Sequence, residues 1–268
     1  MRGVTVLICV CLSAAFAAAC APAALTQDEI LPAFISASQD ETRAMHMEWQ
    51  GTLGQPLAQL RPDPAIDPNL MSVTVNGSFD FNGPDYAGGL RTSSAGMGQT
   101  DTSYARVGGV AFMDFAGSGW QRSGDFGQPP IELDPLHGLQ TGGVLYETAD
   151  TLDGRQVHRL RVLDPVSALA GGMFANGMFG AGAPALAPDG ASDFLIYVDA
   201  RGIPVSAMVA LDLLMDPTVT DNVNTGTSYQ VRFDYQFSLW GEPVTISPPA
   251  VTGGGFDDFP PPPGVKPV

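Results

Sequence analysis

The sequence predicts an α+β fold that is mainly β, and three observations carry that reading. Glycine and proline, 32 and 23 of 268 residues, suit many short strands and turns better than a helical bundle. Apolar residues recur with a period of two from Met45 to Trp49 and from Tyr229 to Leu239, which places them on one side of a strand. Helix-start signals are few: one before Asp28 and one at Asp164-Pro165.

In chain order, Arg2 precedes an apolar run from Val4 to Ala19, too short for the ~20 residues of a spanning helix and suited to an export signal over residues 1–19. Ala17-Ala18-Ala19-Cys20 resembles a bacterial lipobox, which would make Cys20 the diacylated mature N-terminus. The alternative is cleavage at an Ala-x-Ala site, leaving Cys20 a free thiol. Cys9 and Cys11 leave with the signal, so the mature chain has no disulfide partner for Cys20, and the lipid is favoured. Residues 20–27 form a tether to a domain spanning 28–249. Thr26 and Glu29 have capping-box spacing, and Ile30/Phe34 and Leu31/Ile35 form i,i+4 pairs, so an amphipathic helix opens here with Pro32 expected in its first turn.

From Ala44 the period is two: Met45, Met47 and Trp49 alternate with His46, Glu48 and Gln50. A proline-rich stretch, Gln55 to Pro68, precedes strand material at Met71 to Phe81, whose Asn76-Gly77 reads either as a hairpin or as a bulge. Further strands are expected at Gly89 to Ala95, Ser103 to Val107 and Val110 to Phe115, the last two split by Gly108-Gly109. Hairpins turn at Asp153-Gly154, joining Val144 to Thr151 with Gln156 to Leu163, and at Arg201-Gly202, joining Phe194 to Asp199 with Val205 to Leu213. Asp164-Pro165 is an N-cap followed by proline at the first helical position. Gly-Met-Phe then recurs at Gly172 and Gly177, and Met173, Phe174, Met178 and Phe179 read either as a pliable apolar flap or as a core-packed loop. Tyr229, Val231, Phe233, Tyr235, Phe237 and Leu239 alternate with mostly polar residues, giving a strand with one dry side and one wet side. Residues 250–268, with Gly253-Gly254-Gly255 and Pro260 to Pro263, read as a flexible tail.

The net charge of −16 disfavours nucleic acid, which is bound through cations set against phosphates. His46, His137 and His158 are too few and scattered for a metal set, and neither a mature Cys-x-x-Cys nor a Gly-x-Ser-x-Gly elbow occurs. No catalytic residue, metal or cofactor is expected, and an enzyme is disfavoured.

The lipobox, one helix followed by strands, the Gly143 to Leu163 hairpin with its Leu152-Asp153-Gly154 turn, and the ending from Tyr197-Val198-Asp199 through Phe237-Ser238-Leu239-Trp240 to Pro249 together resemble the LolA/LolB-like lipoproteins, most nearly the mycobacterial LppX/LprAFG group. That resemblance implies a strongly curved antiparallel sheet, an unclosed half-barrel, with one or a few helices on its concave face. It also implies an exported, lipid-anchored protein on the extracytoplasmic face of a cell membrane that carries or chaperones a lipid or acylated amphiphile in an apolar hollow. Trp49, Phe79, Phe81, Phe112, Phe194, Ile196, Tyr229, Val231, Phe233, Tyr235, Phe237 and Leu239 are the expected lining, with the Gly-Met-Phe segment as gate. The alternative is a surface structural or interaction lipoprotein with a filled core.

Overall fold

The computed structural model describes residues 24–40, 42–54, 72–94, 98–122, 134–136, 139, 143–170, 185–186, 190–214 and 228–251. The expected export signal, Cys20, the stretch 55–68, the expected flap of Met173, Phe174, Met178 and Phe179 and the residues from 252 lie outside them.

Alternation along each strand and tight turns between neighbours build one antiparallel sheet. Its strands are β1 (Ala44–Gly54), β2 (Val73–Asn82), β3 (Asp85–Ser94), β4 (Gly98–Val107), β5 (Val110–Phe115), β6 (Gln121–Arg122), β7 (Val144–Leu152), β8 (Arg155–Val162), β9 (Ala185–Leu186), β10 (Ser192–Val198), β11 (Pro204–Leu214) and β12 (Ser228–Ser238). The spatial order is β6-β5-β4-β3-β2-β1-β12-β11-β10-β8-β7, with β9 paired to the end of β11. The first half meanders outward from β1, the second returns inward to β12, and the β1–β12 ladder joins them. β6 and β7 are opposite edges and do not pair, so the sheet does not close into a barrel.

The turns follow their residue types. Asp153-Gly154 and Gly108-Gly109 each take two consecutive positive φ angles, the geometry of a two-residue hairpin whose twist matches its strands. Asn76-Gly77 is neither hairpin nor bulge: β2 runs through it with unbroken pairing to both β1 and β3.

Helix α1 (Gln27–Ser38) begins with the expected capping interaction, the Thr26 backbone N–H donating to Glu29 Oε2 at 2.8 Å. It starts early enough that Pro32 falls in its second turn rather than its first, leaving the Asp28 carbonyl without its intrahelical donor. Ile30 and Phe34 are fully buried on the sheet. The Leu25 N–H donates to the Ala200 carbonyl at 2.9 Å, which docks the helix entrance on the β10–β11 turn. Gly202 in that turn has φ 77° and lies against Ala33, so a side chain there meets both strain and α1. Helix α2 (Pro165–Ala170) is capped as expected, Asp164 Oδ1 accepting from the Ser167 N–H at 3.1 Å.

One apolar cluster joins α1, α2 and Leu136 and Leu139 to the same sheet face. Where α1 ends, Arg43, its side chain 11% exposed, pairs with buried Asp134, donates to the Ser38 carbonyl and lies 5.8 Å over the Trp240 ring. Asp134 in turn accepts from the Leu136 N–H at 2.9 Å, so this ion pair ties the Leu136 loop to the start of β1. Removing one partner of such a buried pair costs about 3–5 kcal/mol.

Candidate functional site

Directly paired residues of antiparallel strands share a face. The register therefore runs a continuous line of side chains across the sheet from β8 to β3: Leu160, Ile196, Ala207, Tyr235, Trp49, Gly77 and Leu90. A second line carries Phe194, Val209, Phe233, Gly51 and Val75, and a third carries Phe237, Met47, Phe79, Gly88 and Tyr104. This is the dry face, and the large residues interleave with glycines on it. A Cβ on Gly51 would stand inside the Phe233 ring, one on Gly77 inside the Trp49 indole, and one on Gly88 against Phe79. Trp49 meets Phe233 edge-on at 5.3 Å and stacks on Tyr235 at 6.0 Å, and Tyr235 stacks on Phe237 at 6.4 Å. Burying such rings stabilises by roughly 25 cal/mol per Å² of apolar area.

Among the described residues the middle of the dry face is closed to water. Phe194, Ile196, Val231 and Tyr235 are 0% exposed, so no water-sized space touches them. Two polar atoms are sealed in with them: among the described residues Trp49 Nε1 and Tyr235 Oη have no hydrogen-bond partner, and neither has Tyr86 Oη further along the face. An orphaned donor of this kind costs about 1–3 kcal/mol. Burial keeps both phenols protonated, raising the Tyr235 pKa and pushing that of Tyr86 up to about 12.

Across the same strands the opposite face is polar and open. The line Gln236, Glu48, Ser78, Gly89 and Ser103 runs beside the line Asp234, Gln50, Asn76, Arg91 and Asp101. Small residues at 78, 89 and 103 sit between longer ones and leave a groove of about 750 Å³. Gly89 has only the Thr102 carbonyl oxygen, 3.5 Å away, and Ser103 Oγ near its missing Cβ. Arg91 donates to Asp101 at 2.7 Å, holding that carboxyl below its ordinary pKa. Beside the groove His46 Nδ1 lies 2.7 Å from Asp80 and its Nε2 lies 3.4 Å from Glu48. Partial burial works against the imidazolium, but hydrogen bonds to the two carboxylates outweigh it and raise the His46 pKa. In the other half of the sheet Glu147, Asp150 and Asp193 pair with Arg159 and Arg161 on this polar side.

The structure brings nine of the twelve expected lining residues onto β1, β2, β10 and β12 of the dry face: Trp49, Phe79, Phe81, Phe194, Ile196, Val231, Phe233, Tyr235 and Phe237; Tyr229 pairs with Leu213 through the β12 backbone. Two are corrected. Phe112 pairs with Ala105, which follows Ala87 and Asp80 on the polar side, so it lies on the opposite face, and its neighbour Met113 joins the apolar cluster instead. Leu239 lies one residue beyond β12, turns out with φ 53° and is 47% exposed. The open groove lies on the polar face, and of the expected lining only Trp49 borders it. Met45, Met47 and Leu160 are fully buried dry-face residues that the expected set omitted, although alternation marked the two methionines. Among the described residues no group of three or more His, Cys, Asp and Glu could hold a metal ion, and no helix is long and apolar enough to cross a membrane.

No family model and no curated protein matches the chain. Among solved structures it is similar to LprF from Mycobacterium bovis, at 14% identity over 84% of this chain and 97% of that one, with a TM-score of 0.37. It is similar to the lipoprotein LppX from Mycobacterium tuberculosis at 13% identity over 82% of this chain and 97% of that one, TM-score 0.38. A LolA superfamily protein from Nitrosomonas europaea matches at 10% identity over 83% of this chain and 96% of that one, TM-score 0.26.

Proposed function

We propose that this protein is a membrane-anchored carrier or chaperone, held on the extracytoplasmic side by a lipidated Cys20, that binds a lipid or other amphiphile against the dry face of its sheet. The observation that supports this most is the continuous apolar surface from β8 to β3 on a sheet whose edges never meet. A closed barrel fixes the width of its interior. An open sheet lets its cover of α1, α2 and the Leu136 loop separate from it without breaking a strand ladder. A lipid tail leaving a bilayer gives up roughly 0.8 kcal/mol per methylene, and contact with rings such as Phe79, Phe194 and Phe233 compensates. Because the middle of the face is closed to water, uptake opens the cover first. Met173, Phe174, Met178 and Phe179 are the proposed gate, since unbranched thioethers adapt to irregular ligands.

The complete burial of Tyr235, Ile196 and Phe194 favours a second reading, a surface interaction lipoprotein whose dry face is simply its core. Native mass spectrometry and organic extraction of the full chain, purified from the membranes of its expression host, separate the two. The carrier reading expects a bound amphiphile and lipid uptake from vesicles. A protein carrying no lipid and taking none up is the filled-core lipoprotein.

A further inference from the structure

We infer that Trp49 and Tyr235 form a polar anchor within the apolar site, donating hydrogen bonds to neutral acceptor groups, such as ester carbonyls, embedded in the amphiphile's apolar part. This rests on the carrier reading and goes beyond it by assigning what in the ligand is recognised.

The two residues are directly paired across β1 and β12, and their rings stack at 6.0 Å. Their neighbours in the layer, Phe79, Phe233 and Phe237, show that purely apolar rings fit there. The Tyr235 hydroxyl adds little to packing beyond a phenyl ring, and although the indole also fills the space over Gly77, each of the two residues seals a donor away from any partner. The indole N–H can only donate, so its partner is an acceptor. Gly77 lies at the Nε1 edge of the indole, where any side chain would meet that atom. Among the described residues none of the buried polar and charged side chains is a Lys, Arg or His, so a carboxylate or phosphate reaching the pair would be an uncompensated buried charge, and a neutral carbonyl is preferred. Opening of the dry face, as the carrier reading requires, exposes both donors to the entering ligand.

The test is a comparison of dioleoylglycerol with its diether analogue, which keeps the chains and glycerol but lacks the two carbonyls. Binding of each to the full chain is measured by native mass spectrometry and titration calorimetry, for the wild type, Tyr235→Phe and Trp49→Phe. The expected result is about a tenfold wild-type preference for the diester, within the range a lost hydrogen bond gives, falling below threefold in each variant. Unfolding of Tyr235→Phe should occur at or above the wild-type temperature, because it deletes a hydroxyl that has no partner. Equal wild-type affinity for diester and diether overturns the anchor, as does a preference that survives both substitutions. Failure of the wild type to bind either lipid overturns the carrier reading itself, and the anchor with it. Should one variant not fold, the other decides.

Discussion

The two faces of β1, β2 and β3 are built from the same strands, and glycine does opposite things on them. On the dry side Gly51, Gly77 and Gly88 are places where a neighbouring aromatic ring occupies the volume that a side chain would take. On the polar side Gly89 sits between Ser78 and Ser103 with no ring over it, and the space stays open as a groove. Missing side chains therefore do not by themselves make a cavity. What matters is whether the residues alongside are large and apolar, because closing over a gap then removes more surface from water.

This contrast can be broken at several points. Phe233→Ala empties the volume over Gly51 and should cost about 3–5 kcal/mol, the scale of a lost core ring, measured by urea unfolding. Gly77→Ala should cost about 1–3 kcal/mol through overpacking against Trp49 and should change the fluorescence of that indole. Gly89→Ala on the opposite side should leave stability unchanged or raise it by up to about 1 kcal/mol, since its Cβ makes ordinary contacts and the strand gains a less flexible residue. A loss at Gly89 as large as that at Gly77 would contradict the difference between the faces.

The smallest effect is a pH dependence on the polar side. His46 has a raised pKa in the folded protein, so its contribution to stability is fully present below its unfolded value of about 6.5 and is lost as pH rises through the folded value. Thermal unfolding scanned from pH 5 to 9 should show a decline over that window in the wild type that His46→Gln removes, with other titrating groups contributing equally to both.

Much of this architecture was legible because it depends on local rules. Two successive positive-φ positions need Asp-Gly or Gly-Gly, an N-cap needs Thr26 or Asp164, and the alternates of β12 place Val231, Phe233, Tyr235 and Phe237 together. The errors fall where local rules are silent. In β5 the run Val110, Ala111, Phe112, Met113 is apolar at every position, so a period of two cannot choose a face, and only pairing with β4 turns Phe112 away and Met113 inward. Leu239 continues the alternation in sequence, but the strand has ended at Ser238. Asn76-Gly77 has turn composition, yet its glycine answers to Trp49 on the adjacent strand, a contact between residues 28 positions apart that no local pattern reveals. The β1–β12 ladder that creates the Trp49–Tyr235 pair is longer in range still. The polar groove was missed for the same reason, since Ser78, Gly89 and Ser103 are ordinary wet-face residues until three strands set them side by side.

The central claim, that an amphiphile enters against the dry face, is tested most directly by quenching of Trp49. In a Trp120→Phe, Trp240→Phe background, Trp49 is the sole tryptophan of a chain that has three. Bromine on an acyl chain quenches an indole only at close contact. Titration with brominated dioleoylglycerol in vesicles should quench Trp49 saturably, while brominated lipid held with a protein-free indole standard in the same vesicles sets the background. Emission that stays at that background at every lipid concentration would contradict the claim and leave the dry face as a core alone.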